Sequence, residues 1–302
     1  MGQDMEPQQD YRGRTVAFMV GATGLYAATS LLAKAIGTGV LGPALPPLMV
    51  SLGRFAFALC GVLVVVAILR PGLSRQGGTG PRWSTHLGRT VCGWVGISLM
   101  FAAVARMPLP DATAISFLSP AFTMMLAIPL LGERVGPIRW TAAAIALIGA
   151  VILLRPGQAL QPAAALALGA AAAMGLEAIF IKRLTRREPP LQIMLVNNSM
   201  GTVIALAAAA LIWVTPNAAQ GLALLAIGLL MAGAQMLNLA AMRQSDASFV
   251  APFFYLTLVW AAGFDLWIFG VLPDAVSLAG AAVLVSGAGL LVWRDRQRKG
   301  PL

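Results

Sequence analysis

Apolar stretches alternate with short polar breaks along the whole chain, near 15–37, 45–69, 88–106, 111–131, 138–154, 162–181, 190–214, 219–242, 247–270 and 277–293. Each comes close to the ~20 residues that a helix needs to cross a hydrocarbon core about 30 Å thick. The pattern predicts an all-α membrane protein of ten transmembrane helices, with connections too short to hold an extramembrane domain. Segment 132–154 aligns without gaps on 270–292, placing Gly132 and Gly149 on Gly270 and Gly287. The chain therefore divides into a cytoplasmic N-terminal tail (1–14), a five-helix half (15–155), an inter-repeat loop (156–161), a second five-helix half (162–293) and a basic cytoplasmic tail (294–302). Five is odd, so a second copy starts on the opposite face. The halves are expected to be inverted repeats around a central cavity, an architecture of transporters.

Composition fits this solvent. Hydrophobic residues make up 59% of the 302 and charged ones only 11%, where a soluble domain carries about a quarter. The first span is too long an apolar run for a signal peptide, and more spans follow it. A net charge of +10 would point to nucleic acid in a soluble protein, but its placement points to a bilayer. With the N-terminus inside, only Arg106 and Arg155 fall outside, Lys34 and Arg54 lie within spans, and every other Lys and Arg faces the cytoplasm. This is the positive-inside bias. It puts both termini in the cytoplasm and leaves no nucleic acid partner to be expected.

Catalytic chemistry has little to stand on. His86, the only histidine, sits in a basic loop, and Cys60 and Cys92 lie inside spans as small hydrophobes. No histidine-based metal site or triad can be built, and no Walker A loop is present. Neither cofactor nor metal is expected, and an intramembrane lipid-modifying enzyme or a non-transporting scaffold ranks far below a carrier.

Polar side chains inside the spans are costly and are kept where they face protein or water. At helical spacing, Tyr26, Ser30 and Lys34 share a stripe of span one, and Arg54 lies in a small-residue face of span two. Trp94, Ser98 and Phe101 mark span three, Glu177 span six, Asn197 and Asn198 span seven, Gln235 and Asn238 span eight, and Tyr255 and Asp265 span nine. By depth these form an outer cluster, Lys34–Arg54–Asp265, and an inner one around Glu177 and the amides. An aromatic middle (Tyr26, Trp94, Phe101, Tyr255, Trp260) lies between them. Two polar layers suit an alternating-access pathway for an amphipathic solute, with a cationic group to hold a carboxylate. Structural alternatives stay open: Arg54 bracing a helix interface, Lys34 snorkelling to headgroups, Glu177 pairing with Lys182 or another loop base, the amides joining helices. Pro120 and Pro129 in span four and Pro252 in span nine are expected to bend their helices, Pro120 and Pro252 as hinges. Spans five and ten, nearly free of polar side chains, are expected to be peripheral, lipid-facing or dimer-forming.

Residues 109–154, with Gly132-Glu133-Arg134 between two apolar runs, resemble the fourth and fifth helices of the EamA family in the drug/metabolite transporter superfamily. Ser51-Leu52-Gly53-Arg54-Phe55 is similar to that family's second-helix Arg-Phe motif, and 245–270 resembles its ninth helix. The resemblance covers 15–293. It implies two EamA-like halves in the bacterial inner membrane, as monomer or homodimer, moving small organic metabolites by alternating access. Amino acid export is the leading expectation, since known members include amino acid exporters. Uptake or exchange of riboflavin or S-adenosylmethionine is the alternative. One departure stands out: where many members repeat Gly-Glu in the second half, this chain has Gly270-Val271.

Overall fold

The computed structural model describes residues 8–37, 39–69, 82–104, 115–154, 164–269 and 275–297. Among them every regular element is helical: α1 (Gln8–Gly37), α2 (Pro47–Leu69), α3 (Trp83–Val104), α4 (Ser119–Leu131), α5 (Pro137–Leu154), α6 (Ala164–Thr185), α7 (Pro190–Ala210), α8 (Ala218–Gln244), α9 (Ala247–Val250), α10 (Leu256–Phe269) and α11 (Ala275–Gln297). Six stretches are long and apolar enough to cross a bilayer: Gly13–Gly37, Pro47–Ile68, Ala164–Thr185, Pro190–Ala210, Ala218–Gln244 and Ala247–Phe264. Shorter apolar helices occupy Ser119–Leu131, Pro137–Ile152 and Leu278–Gly287. Apolar side chains such as Ile68, Val203, Leu222 and Trp267 point outward. Hydrocarbon is the solvent that tolerates such a surface, and helices leave it no unpaired backbone.

Local chemistry sets the ends of these helices. Gly132, at φ 68°, terminates α4 in the left-handed conformation. Its N–H reaches the Ile128 carbonyl, and the Glu133 N–H reaches back to Ala127, which turns the chain sharply. At the start of α8, Asn217 and Gln220 exchange side-chain and backbone bonds in a capping box. Their amides also donate to the carbonyls of Leu41 (2.9 Å) and Pro43 (2.7 Å), tying the α1–α2 loop to α8.

The ninth apolar stretch, Ala247–Phe264, changes its winding at the expected proline: a 3-10 turn, Ala251–Tyr255 with Pro252 in its first turn, joins α9 to α10. The expectation for Pro120 is corrected. Pro120 stands in the first turn of α4 rather than inside a longer helix, where a missing N–H breaks no intrahelical bond. Pro129 is the proline inside that helix.

Packing crosses the halves. The main pairs are α1 with α8, α3 with α6, α2 with α7 and α8, α4 with α6, α1 with α10, and α5 with α11. Exchanging each helix for its counterpart in the other half turns α1–α8 into α6–α3 and α4–α6 into the pair of α10 with α1, and leaves α2–α7 and α5–α11 in place; α2–α8 is the exception, since its exchanged pair, α7–α3, is in much slighter contact. The apolar α5 and α11 pack on each other through glycines: a Cβ at Gly287 would stand 2.7 Å from Ala146 N and 2.8 Å from the Ala142 carbonyl, and one at Gly149 would strike the Leu284 backbone. Their small faces are thus spent within the chain.

Candidate functional site

Between the halves lies a cavity of about 330 Å³. Its wall takes Tyr26 from α1, Arg54 and Phe55 from α2, Arg89 to Ile97 from α3, Ser119 to Thr123 from α4, Met174 to Ile181 from α6, Asn197 and Gly201 from α7, Gln235 to Met242 from α8, and Ala251 and Phe254 from the 3-10 turn. Among the described residues α5 and α11 contribute none. The lining joins two guanidiniums and a carboxylate to amides and aromatic rings.

Arg89 is 4% exposed, with its Nε 3.8 Å from Glu177 Oε1; that is an ion pair too long for a hydrogen bond. A Cβ at Gly93 would come within 3.3 Å of the Glu177 carboxylate, so glycine at this turn of α3 leaves room for it. Arg54 rests over the Phe55 ring, 5.0 Å from its centroid, a cation–π contact. Tyr26 stacks on Phe254 with centroids 6.2 Å apart. Asn198 donates to Gln235 Oε1 (3.1 Å) and to the Met194 carbonyl (2.9 Å), which fixes the Gln235 amide from behind. Four lining donors have no hydrogen-bond partner among the described residues: Arg54 Nε, Arg89 Nε and Nη1, and Trp94 Nε1; the Asn238 Oδ1 acceptor has none either. Leaving such groups unpaired costs about 1–3 kcal/mol each. These donors are open to acceptors inside the cavity, water or solute.

The residues singled out in the sequence divide. Tyr26, Arg54, Trp94, Glu177, Asn197, Gln235, Asn238 and Pro120 line the cavity; Asn198 sits behind it, buried. Ser30, Lys34, Tyr255 and Trp260 do not line it. Ser30 is exposed and bonds its own helix at the Tyr26 carbonyl, and Lys34 is exposed in the last turn of α1. The Tyr255 hydroxyl donates to the Phe117 carbonyl (2.7 Å) in a packed cluster. Trp260 braces α10 against α1, its indole donating to the Val20 carbonyl (3.2 Å). The side chains of Ser98, Phe101 and Asp265 lie outside the described residues. The two-layer arrangement is also corrected: Arg54 and Glu177 face one cavity, and Lys34 is not part of it.

Three polar groups went unread. Arg89, counted as a cytoplasmic charge, turns inward one and a half turns into α3; the spacing Arg89–Gly93–Ile97 carried that signal. His86, expected in a loop, is buried, with its Nε2 2.9 Å from Glu188 Oε2. Glu188 also accepts from the Arg82 N–H (3.0 Å) and from Gln192 (3.1 Å). Of the bases expected to pair with Glu177, Arg89 does so and Lys182 does not; Lys182 donates to the carbonyls of Met242 (2.6 Å) and Ser245.

Long apolar helices enclosing a polar, aromatic cavity define a membrane carrier of small molecules. A family model described as the EamA-like transporter family matches residues 13–155 and 161–293. The chain belongs to that family and carries two of its repeats, as a multi-pass membrane transporter. It is 36% identical, over 71% of its length and 71% of the relative's, to a riboflavin transporter of Rhizobium johnstonii. A Rickettsia bellii S-adenosylmethionine uptake transporter is 25% identical over 70% of this chain and 73% of its own. A Pseudomonas aeruginosa pseudopaline exporter is 27% identical over 74% and 80%. A solved crystal structure covering 95% of this chain and 99% of its own superposes with a TM-score of 0.78 at 18% identity, a likeness of fold.

Proposed function

We propose that the protein is a secondary transporter whose cavity takes a planar heteroaromatic metabolite of the riboflavin class. The observation that carries this reading is the excess of unpartnered donors beside aromatic faces. An isoalloxazine ring offers carbonyl and ring-nitrogen acceptors along one edge and a single N–H between two carbonyls. Arg54, Arg89 and Trp94 supply donors for the acceptors, and Asn238 Oδ1 an acceptor for the N–H. Tyr26, Trp94 and Phe254 offer faces for stacking, and Asn197 and Gln235 suit a hydroxylated side chain. The volume is at the lower end of the ~300–1,000 Å³ range of ligand pockets. The 36%-identical relative's name supports the same class.

Transport proceeds by alternating access between two inverted halves of five spans each, with both termini cytoplasmic. Support comes from the exchange symmetry of the helix pairs and from the positive-inside placement of Lys and Arg. Amino acids form the second reading. Opposite charges at Arg54 or Arg89 and at Glu177 match a zwitterion, although the relatives' names give export of amino acids no counterpart. Counterflow into proteoliposomes with labelled riboflavin, S-adenosylmethionine and mixed amino acids tests both. Riboflavin exchange is the expected result. Exchange of amino acids alone would replace the first reading with the second.

A further inference from the structure

The charges that face the cavity do not balance. Among the described lining residues three are charged, Arg54, Arg89 and Glu177. Tyr26, the other titratable group of the wall, is a neutral phenol at pH 7. Two guanidiniums against one carboxylate leave one positive charge in excess.

The carboxylate is not shared evenly. Arg89 Nε is 3.8 Å from Glu177 Oε1, and Gly93 leaves the carboxylate its room there. Arg54 makes no ion pair among the described residues, although Glu177 and Arg89 are near enough for their charges to act on it. The Phe55 ring, 5.0 Å from the Arg54 guanidinium, offsets a small part of that charge. Arg54 Nε is buried and donates to nothing, and on the same wall Arg89 Nη1 and Trp94 Nε1 are buried and unpartnered as well.

Hydrogen bonding and charge make different demands here. Water entering the cavity can satisfy an N–H, but it cannot cancel the charge of a guanidinium. A charge enclosed by apolar helices is tolerated when it is paired. Guanidinium and indole N–H groups are donors only, so they favour an acceptor that carries negative charge. A single charge in excess calls for a monovalent ion. A neutral isoalloxazine supplies acceptors and no such charge.

We propose that the cavity holds a small monovalent inorganic anion of the chloride type against Arg54, and that the neutral solute binds beside it. That the ion forms part of the solute's wall rests on the reading of this cavity as the transport site. Arg54 holds the ion rather than Arg89, because Glu177 stands beside Arg89 and repels a second anion there. The ion answers the charge, and the remaining donors answer the solute's acceptors.

Melting of the purified protein in detergent, without solute, tests this. Sodium chloride replaces sodium gluconate stepwise at constant ionic strength, so screening stays fixed and only the anion changes. An ion that binds the folded state raises the melting temperature as it fills its site. The unsubstituted protein should show a saturable rise with chloride. Arg54→Gln leaves one guanidinium against one carboxylate and should weaken chloride binding at least ten-fold. Glu177→Gln leaves two guanidiniums unopposed. It should tighten chloride binding about ten-fold, as removing a unit charge roughly 10 Å away does at an effective dielectric of about 20. The basic surface of the protein is common to all three, so its response to chloride cancels in the comparison. Absence of a chloride-dependent rise in the unsubstituted protein overturns the ion site. So does folded Arg54→Gln that melts lower in both salts yet keeps the full rise, the result of a purely structural arginine. Should Arg54→Gln fail to fold, Glu177→Gln decides, and chloride binding no tighter than in the unsubstituted protein overturns the site. No solute is present in these measurements, so a failed riboflavin assay leaves them intact, and a failed ion site leaves the solute reading intact.

Discussion

Two polar clusters, each with buried and half-buried members, lie near each other in this protein and are built on opposite principles. At the α8–α9 junction Glu133 accepts three hydrogen bonds, Arg139 makes two and Lys182 makes two. In the cavity Arg54, Arg89 and Trp94 face inward with donors unmatched, and the one ion pair is stretched to 3.8 Å. Burial alone does not separate the two, since Lys182 and Arg89 are about equally hidden. Satisfaction does. A completed network ties elements of the fold together; an incomplete one at a cavity wall leaves groups open to a water or, on the reading proposed above, a solute.

Substitutions should separate the clusters by what they damage. Glu133→Ala should have the largest effect on stability, a loss of about 3 kcal/mol, because it leaves the N–H groups of Ala247 and Ser248 and the Ser248 hydroxyl without their acceptor. Thermal melting in detergent reads this. Arg89→Gln should reduce solute exchange by more than about ten-fold yet cost little stability, since Glu177 keeps access to the cavity and its freed carboxylate can be hydrated; equal loss of both would erase the contrast. Trp94→Phe removes one donor and keeps the ring, so a rise of about five-fold in KM with unchanged melting is predicted. Asn198→Ala, which unties Gln235 from behind, should give the smallest change, about 0.6 kcal/mol.

Much of the cavity was legible in the sequence because a polar side chain in an apolar helix has few places to go. Tyr26, Arg54, Trp94, Glu177, Asn197, Gln235 and Asn238 were all visible on that ground, and all face the cavity. What spacing cannot give is tilt or partnership. Depth counted along single helices set Arg54 apart from Glu177, whereas helices that cross between halves bring both to one wall. Tyr255 and Trp260 shared the right faces but met the Phe117 carbonyl and α1, respectively, instead. Arg89 was hidden by a rule that was otherwise informative: near a span end, a cation reads as a loop charge. The Gly270-Val271 departure, by contrast, was plain in the sequence. It gained meaning only when Glu133 proved to hold the partner half.

The unmatched donors of the cavity are the proposed binding groups for the solute. The most direct test of this claim is riboflavin counterflow by Arg54→Met protein beside the unsubstituted protein, each with its melting temperature measured. Methionine keeps most of the volume and removes the donors. Exchange should fall at least ten-fold, the equivalent of about 1.4 kcal/mol, while the melting temperature holds. Wild-type exchange in the Arg54→Met protein would contradict the claim.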